Sequence, residues 1–151
     1  MADFEPRNPD YAEAVRQSFA RQGVMATIGA RLGDIRPGYC EIHLPFDDGL
    51  TQQDGYFHGA MICAIGDSAA GYAAFTLAPP ESRVLTVEYK INFMAPGDGE
   101  RLVARAQVIK AGRTLAVCES DVFVFKGGAE TRCAASLQTL IYINSPPGDA
   151  A

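Results

Sequence analysis

The stretch YFHGAMICAIGDSAAGYAAFTLAPP, residues 56–80, decides how the rest of the chain must be arranged. It holds one acidic residue, Asp67, near its middle and no lysine or arginine. Its length permits a membrane span. The central carboxylate, the missing basic flank and the many Ala and Gly residues, which return little transfer free energy, speak against one. A strand is excluded by length and by the helix preference of alanine. What remains is a helix apolar on nearly all sides, buried by its own domain and stopped by Pro79-Pro80.

Downstream the pattern changes to period two. Leu85, Val87, Tyr89, Ile91 and Phe93 alternate with Thr86, Glu88, Lys90 and Asn92, which predicts a strand with one apolar face. Further strands are expected over about 101–110, 114–125 and 131–143. Ala111-Gly112-Arg113 and Gly127-Gly128 would join them as antiparallel hairpins. Upstream, residues 8–23 read as a helix capped by Asn8, with Pro9 at its first position, Gly23 at its exit and a stripe of Tyr11, Val15 and Phe19. Two strands, 26–35 and 39–45, follow around the turn Arg36-Pro37-Gly38. The ends, about 1–7 and 144–151, read as loose. This order describes a single α+β domain over residues 1–151, an antiparallel sheet curled around one long helix with a second helix at the N-terminus. The side of the long helix that the sheet leaves bare predicts an oligomer.

With 151 residues, 48% hydrophobic and 21% charged, the chain has enough apolar material for one core and too much for a disordered segment. A net charge of -5 without any Lys/Arg cluster excludes a nucleic-acid binder, which needs a concentrated basic face. Cys40, Cys63, Cys118 and Cys133 are far apart, and the two histidines, His43 and His58, make no ligand pattern with them, so no metal is expected. The acidic, polar start reads as neither a secretory nor a transit signal. A reduced, cytoplasmic protein with buried thiols is expected.

Asp67 is the residue that needs explaining. A carboxylate in an apolar helix is costly unless paired, hydrogen-bonded or protonated. No cation lies within a helical turn of it, and burial would raise its pKa toward the range of a general base. The plain alternative, an Asp that reaches water or caps a neighbouring turn, stands beside that reading. His58-Gly59 falls where the same helix should begin, where backbone N–H groups are unpaired and Gly59 would let a carbonyl oxygen approach, as an oxyanion hole requires. Alone, the pair could equally end a loop. His58 and Asp67, nine positions apart, face opposite sides of a helix at roughly 13 Å separation. A functional reading of both therefore needs two antiparallel copies, with Gly59 of one chain meeting Asp67 of the other.

The segment TQQDGYFHGAMICAIGDSAAGYAAF resembles the hotdog-fold acyl-CoA thioesterases of the phenylacetate-pathway (PaaI-like) type, which carry an amide residue, His-Gly six positions later and an acid nine further on. Gln52, His58-Gly59 and Asp67 stand at those spacings, and VEYKINFMAPGDGERLVARAQVIKAGRTLAV is similar to the family's strand–hairpin region. The resemblance implies a hotdog fold and hydrolysis of an acyl-CoA or aryl-acyl-CoA thioester without a cofactor, coenzyme A being part of the substrate. It implies Asp67 as general base or nucleophile, the Gly59 N–H as carbonyl polariser, His58 as shaper of that end and Gln52 as positioner. Thr86 matches a water-orienting hydroxyl, although its parity groups it with Glu88 and Lys90. Arg113, in a glycine turn, and Lys90 could hold coenzyme phosphates. A homodimer with composite sites, and a homotetramer of two such dimers, would follow. A non-catalytic acyl-CoA-binding module and a hydratase or dehydratase are the alternatives. A serine esterase lacks its GxSxG block, and a Cys40–His43 dyad would point to opposite faces of its strand.

Overall fold

The computed structural model describes residues 4–144. Helices α1 (Tyr11–Ala20) and α2 (Gly23–Ile28) lead into β1 (Arg31–Arg36) and β2 (Tyr39–Pro45). A 3-10 turn at Asp48–Leu50 precedes the long helix α3 (Gly59–Phe75). Strands β3 (Ser82–Phe93), β4 (Arg101–Ala111), β5 (Leu115–Lys126) and β6 (Ala129–Asn144) follow. All six strands pair antiparallel in the order β1-β2-β4-β5-β6-β3. The sheet wraps α3, which packs on β2 through β6. This is the expected hotdog arrangement.

The composition of α3 is what lets the sheet close on it. Ile62, Ile65, Gly66, Ala69, Ala70, Ala73 and Ala74 are buried against Cys40, Ile42 and Leu44 of β2, Leu102, Ala104 and Ala106 of β4, and Cys118 and Val122 of β5. Small side chains permit close approach of helix and sheet. At Gly66 the fit is close, since a β-carbon there would lie 3.4 Å from the Val122 Cγ2. On the far side α1 covers only the C-terminal half, through Phe19 against Tyr72 at 5.7 Å between ring centroids. Toward the other end Ala60 is exposed, and Met61, Cys63 and Ala64 are half-buried.

Several local expectations are corrected. The helix expected over 8–23 is two helices, because Gln22 is extended (φ -81°, ψ 94°) and Gly23 opens α2 rather than closing α1. Asn8 does not cap α1; Asp10 holds the cap position, and the Asn8 side chain accepts from the Asp10 N–H one turn earlier. The strand expected from residue 26 begins at Arg31, since α2 occupies its first positions. Helix α3 ends at Phe75, four residues before Pro79, and short-range turn bonds carry the chain through Ala78. Phe4 packs on Gly38, and Arg7 donates to the Gly112 carbonyl and stacks on Tyr142, so residues 4–7 are tied down. The rest of the ends expected to be loose, 1–3 and 145–151, lie outside the described residues.

The most consequential correction is in β3. Its pairing with β6 shifts between Thr86 and Glu88, which leaves Val87 as an extra residue, a β-bulge. A single extra residue reverses which face each side chain takes. Before the bulge Ser82, Val84 and Thr86 share the face of the buried Leu140; after it Tyr89, Ile91 and Phe93 share the face of the buried Gln138, Ser136 and Ala134. The apolar alternation read from Leu85 to Phe93 is therefore not one face. Leu85 and Val87 are each 55% exposed along a strand whose other edge has no partner within the described residues.

Candidate active site

The bulge is what brings Thr86 to Asp67. The Thr86 hydroxyl donates to the Asp67 Oδ1 at 2.7 Å, across from β3 to the middle of α3. Parity counting placed Thr86 with Glu88 and Lys90, but it belongs to the helix-facing set. Asp67 itself is half-buried rather than sealed in the core, so of the two readings of this residue it keeps access to water. Hydrogen bonding to one neutral hydroxyl contributes on the order of 1.5–3 kcal/mol to a charged acceptor, while burying a carboxylate without a cation costs several kcal/mol. The second carboxylate oxygen thus has to stay open to water or to a ligand.

At the other end of the stripe, His58 caps α3. Its Nδ1 accepts from the Ala60 N–H at 2.9 Å, which fixes the neutral tautomer with the proton on Nε2. The Gly59 N–H, first in the helix, has no acceptor among the described residues. Phe93 lies beside it, 3.4 Å from where a Gly59 side chain would begin. Gln52 sits in the tight loop just before, closed by its own N–H to the Tyr56 carbonyl at 2.8 Å and by its side-chain oxygen accepting from the Asp54 N–H. Its amide NH2 is left to point elsewhere.

Gly59, Cys63 and Asp67 recur every four positions and form one stripe along α3. The antiparallel β3 sets Phe93, Tyr89 and Thr86 against them in turn: Phe93 by Gly59, the Tyr89 hydroxyl near Cys63, Thr86 on Asp67. Burial pushes the Cys63 thiol upward, and the Tyr89 hydroxyl pulls it only part of the way back, so it is a poor nucleophile at neutral pH. Cys40 is sealed on the helix side of β2, with its thiol pushed up to about 12 by burial and then by the charges of Glu41 and Asp34. His43 lies on the opposite face of that strand with Glu41. The Cys40–His43 dyad is excluded.

Behind Asp67 and Thr86 opens a cleft of about 460 Å³. Ser18, Arg21 and Gln22 from the end of α1, Ser68, Gly71, Tyr72 and Phe75 from α3, and the first half of β3 line it, with Leu140 as floor. Arg113, in the β4–β5 turn, and Lys90, on the outer face of β3, do not line it. Arg21 and Arg83 do, and the sequence did not single them out. No periodicity announces that the end of α1 will face Asp67; only the packing of α1 on Tyr72 does.

The model of the thioesterase superfamily matches residues 54–131, a segment that runs from the loop before α3 into β6 and includes Gly59, Asp67 and Thr86. The chain belongs to that superfamily. A crystal structure of a thioesterase family protein from Silicibacter pomeroyi is 47% identical, covers 89% of this chain and 99% of its own, and superposes with a TM-score of 0.88. The E. coli PaaI protein from the phenylacetic acid degradation operon shares the fold at a TM-score of 0.79 and 15% identity, over 90% of this chain and 95% of that one. A protein named 1,4-dihydroxy-2-naphthoyl-CoA hydrolase from Listeria monocytogenes is 26% identical over 66% of this chain and 81% of its own length. Among the described residues no helix is long and apolar enough to cross a membrane.

Proposed function

We propose that the chain hydrolyses an acyl-CoA or aryl-acyl-CoA thioester to the free acid and coenzyme A, in sites shared between two copies. The observation that carries this reading is the Asp67–Thr86 pair: a half-open carboxylate held by one hydroxyl, facing a cleft and without an ion-pair partner among the described residues. Thr86 fixes one oxygen of Asp67, and the other takes a proton from water as that water attacks the thioester carbonyl carbon. The developing oxyanion is received by an unpaired helix-terminal N–H, that of Gly59. Collapse of the tetrahedral intermediate breaks the C–S bond, and the proton held by Asp67 goes to the leaving thiolate. Gln52 helps to place the carbonyl, His58 sets the helix end through its cap, and Arg113 and Lys90 serve as surface cations for the coenzyme phosphates. The naming of a relative for an aromatic acyl-CoA supports the thioester class.

Within one chain Gly59 and Asp67 are roughly 12 Å apart along α3, too far for a single carbonyl. An antiparallel second copy places Gly59 of each chain beside Asp67 of the other. The free edge of β3, with Leu85, Val87, Tyr89, Phe93 and Met94 all exposed, is the surface such a copy would cover. In that register residue numbers across the two-fold add to a constant, so Cys63 meets Cys63 of the second copy. Diamide, accepting the two protons and two electrons, should then join the two thiols as a disulfide and give a covalent dimer on a non-reducing gel; Cys63→Ser should abolish it. Persistence of a monomer band in wild type would exclude this register. For the activity itself the test is thiol release across acyl-CoAs of increasing length and aromatic acyl-CoAs. Binding without release would leave the acyl-CoA-binding module as the function.

A further inference from the structure

Resting on the thioesterase reading, we infer that the cleft behind Asp67 selects an acyl group whose far end carries a carboxylate, received by Arg21. The cleft begins at the reacting carboxylate and runs along α3 toward its C-terminus, past Ser68, Gly71, Tyr72 and Phe75, away from the Gly59 end. A thioester poised between Asp67 and a Gly59 N–H sends one arm into this cleft and the other out of it. Tyr72, Phe75, Val84 and Leu140 give the cleft carbon-lined walls that suit an acyl chain. The amides and phosphates of the coenzyme are better served by water.

Its charges and hydroxyls do not suit a plain hydrocarbon. Arg21 lines it opposite the carboxylate of Asp67, and its guanidinium has no acidic partner among the described residues; Arg83 borders the cleft too, but strand alternation with Val84 and Thr86 on the helix face turns its side chain to the outer face. Its polar side chains are loosely engaged. Ser18 and Tyr72 share a hydrogen bond at 3.5 Å, and the Ser68 hydroxyl reaches the Gln22 side-chain oxygen at 3.5 Å, both at the outer limit for such bonds. Each can turn to a ligand at little cost. Arg21 is near enough to Tyr72 for its charge to act on that phenol, behind burial, the Ser18 bond and Cys40. A position at the end of α1 would by itself suit a cation. That does not account for the hydroxyls gathered around the same space. A guanidinium without an acidic partner beside a hydroxyl-lined cleft is matched by a carboxylate, which it holds through two parallel N–H donors. Ser18, Arg21 and Gln22 lie outside the segment matched by the superfamily model.

The test uses two unreactive thioethers of equal length, S-(4-carboxybutyl)-coenzyme A and S-pentyl-coenzyme A, with calorimetric affinities for wild type and Arg21→Gln. Wild type should bind the carboxylated analogue at least tenfold more tightly, and in Arg21→Gln that ratio should fall to near one. A wild-type ratio at or below one overturns the inference. So does a loss in Arg21→Gln shared equally by both analogues, because the guanidinium would then be acting on the coenzyme phosphates they have in common. Thiol release from glutaryl- and pentanoyl-coenzyme A separates the two readings: a tenfold binding preference without any release would refute the hydrolase and leave the cleft's selectivity standing.

Discussion

Two carboxylates, Asp67 on α3 and Glu41 on β2, show how differently the same group can be housed. Glu41 lies on the outer face of the sheet and is saturated with partners. Tyr39 donates to it at 2.6 Å, the His43 Nε2 lies at 3.2 Å, and Arg105 is 3.4 Å away while also clasping Glu130 with both terminal nitrogens. Burial pushes the Glu41 carboxyl up, but the hydrogen bonds from Tyr39 and His43 and the charge of Arg105 outweigh it and hold the group below its ordinary 4.5. Arg105 is itself stacked 4.7 Å over the Phe123 ring. Asp67 has one neutral hydroxyl, a neighbouring cleft and no ion-pair partner among the described residues. A saturated acid stiffens the fold, while an unsaturated one is kept available for a ligand.

The sharpest way to break this contrast is to neutralise each acid in turn. Asp67→Asn should leave the far-UV circular dichroism unchanged and lower kcat on the order of 10²-fold or more, the range of losing a general base. Glu41→Gln should keep kcat within about twofold, because nothing in its network reaches the cleft, a small change by the same scale. Equal losses in the two variants would erase the distinction.

A next-largest effect comes from mixing. If each site takes Asp67 from one chain and Gln52 and Gly59 from the other, inactive Asp67→Asn and inactive Gln52→Ala proteins should complement after subunit exchange. Half the dimers would be mixed, each with one intact site, so activity should return to roughly a quarter of wild type. No recovery despite verified exchange would place both groups of a site in one chain.

Thr86 tests how Asp67 is held. Thr86→Val should cost about tenfold in kcat with little change in KM, in line with a hydrogen bond to a charged group worth about 1.5 kcal/mol. Thr86→Ser, which restores the hydroxyl, should recover most of the loss. A Ser variant no better than Val would mean that the methyl group, not the hydroxyl, matters.

The smallest expected effect belongs to Glu41 and appears in stability. Its folded pKa is lowered, so the native state binds the proton less readily than the unfolded chain. The stabilisation is present above the unfolded carboxylate value and is lost as the pH falls through the folded one. Melting curves from pH 7 down should therefore show wild type losing part of its advantage over Glu41→Gln below about pH 4.5, where linkage begins to act. A constant gap between the two down to pH 3 would contradict the lowered value.

Much of this could be read from residues 56–80. An uncharged stretch that is too rich in Ala and Gly for a membrane, and too long for a strand, has to be a helix wrapped by its own domain, because only that burial offsets its exposure to water. The spacing of Gly59 and Asp67 was equally legible, since helical geometry is fixed by local bonds, and it already implied a second chain. The housing of the acid was not. The bulge at Val87, which turns Thr86 toward Asp67, is set by where β3 registers against β6, and a one-residue slip is invisible to a period-two pattern. The break between α1 and α2, which brings Arg21 and Gln22 to the cleft, rests on the extended backbone of Gln22 and the packing of Phe19 on Tyr72. Local sequence fixed the helix and the order of its groups because those depend on neighbours in the chain; strand register and the meeting of α1 with β3 depend on contacts dozens of residues apart, which only the folded chain supplies.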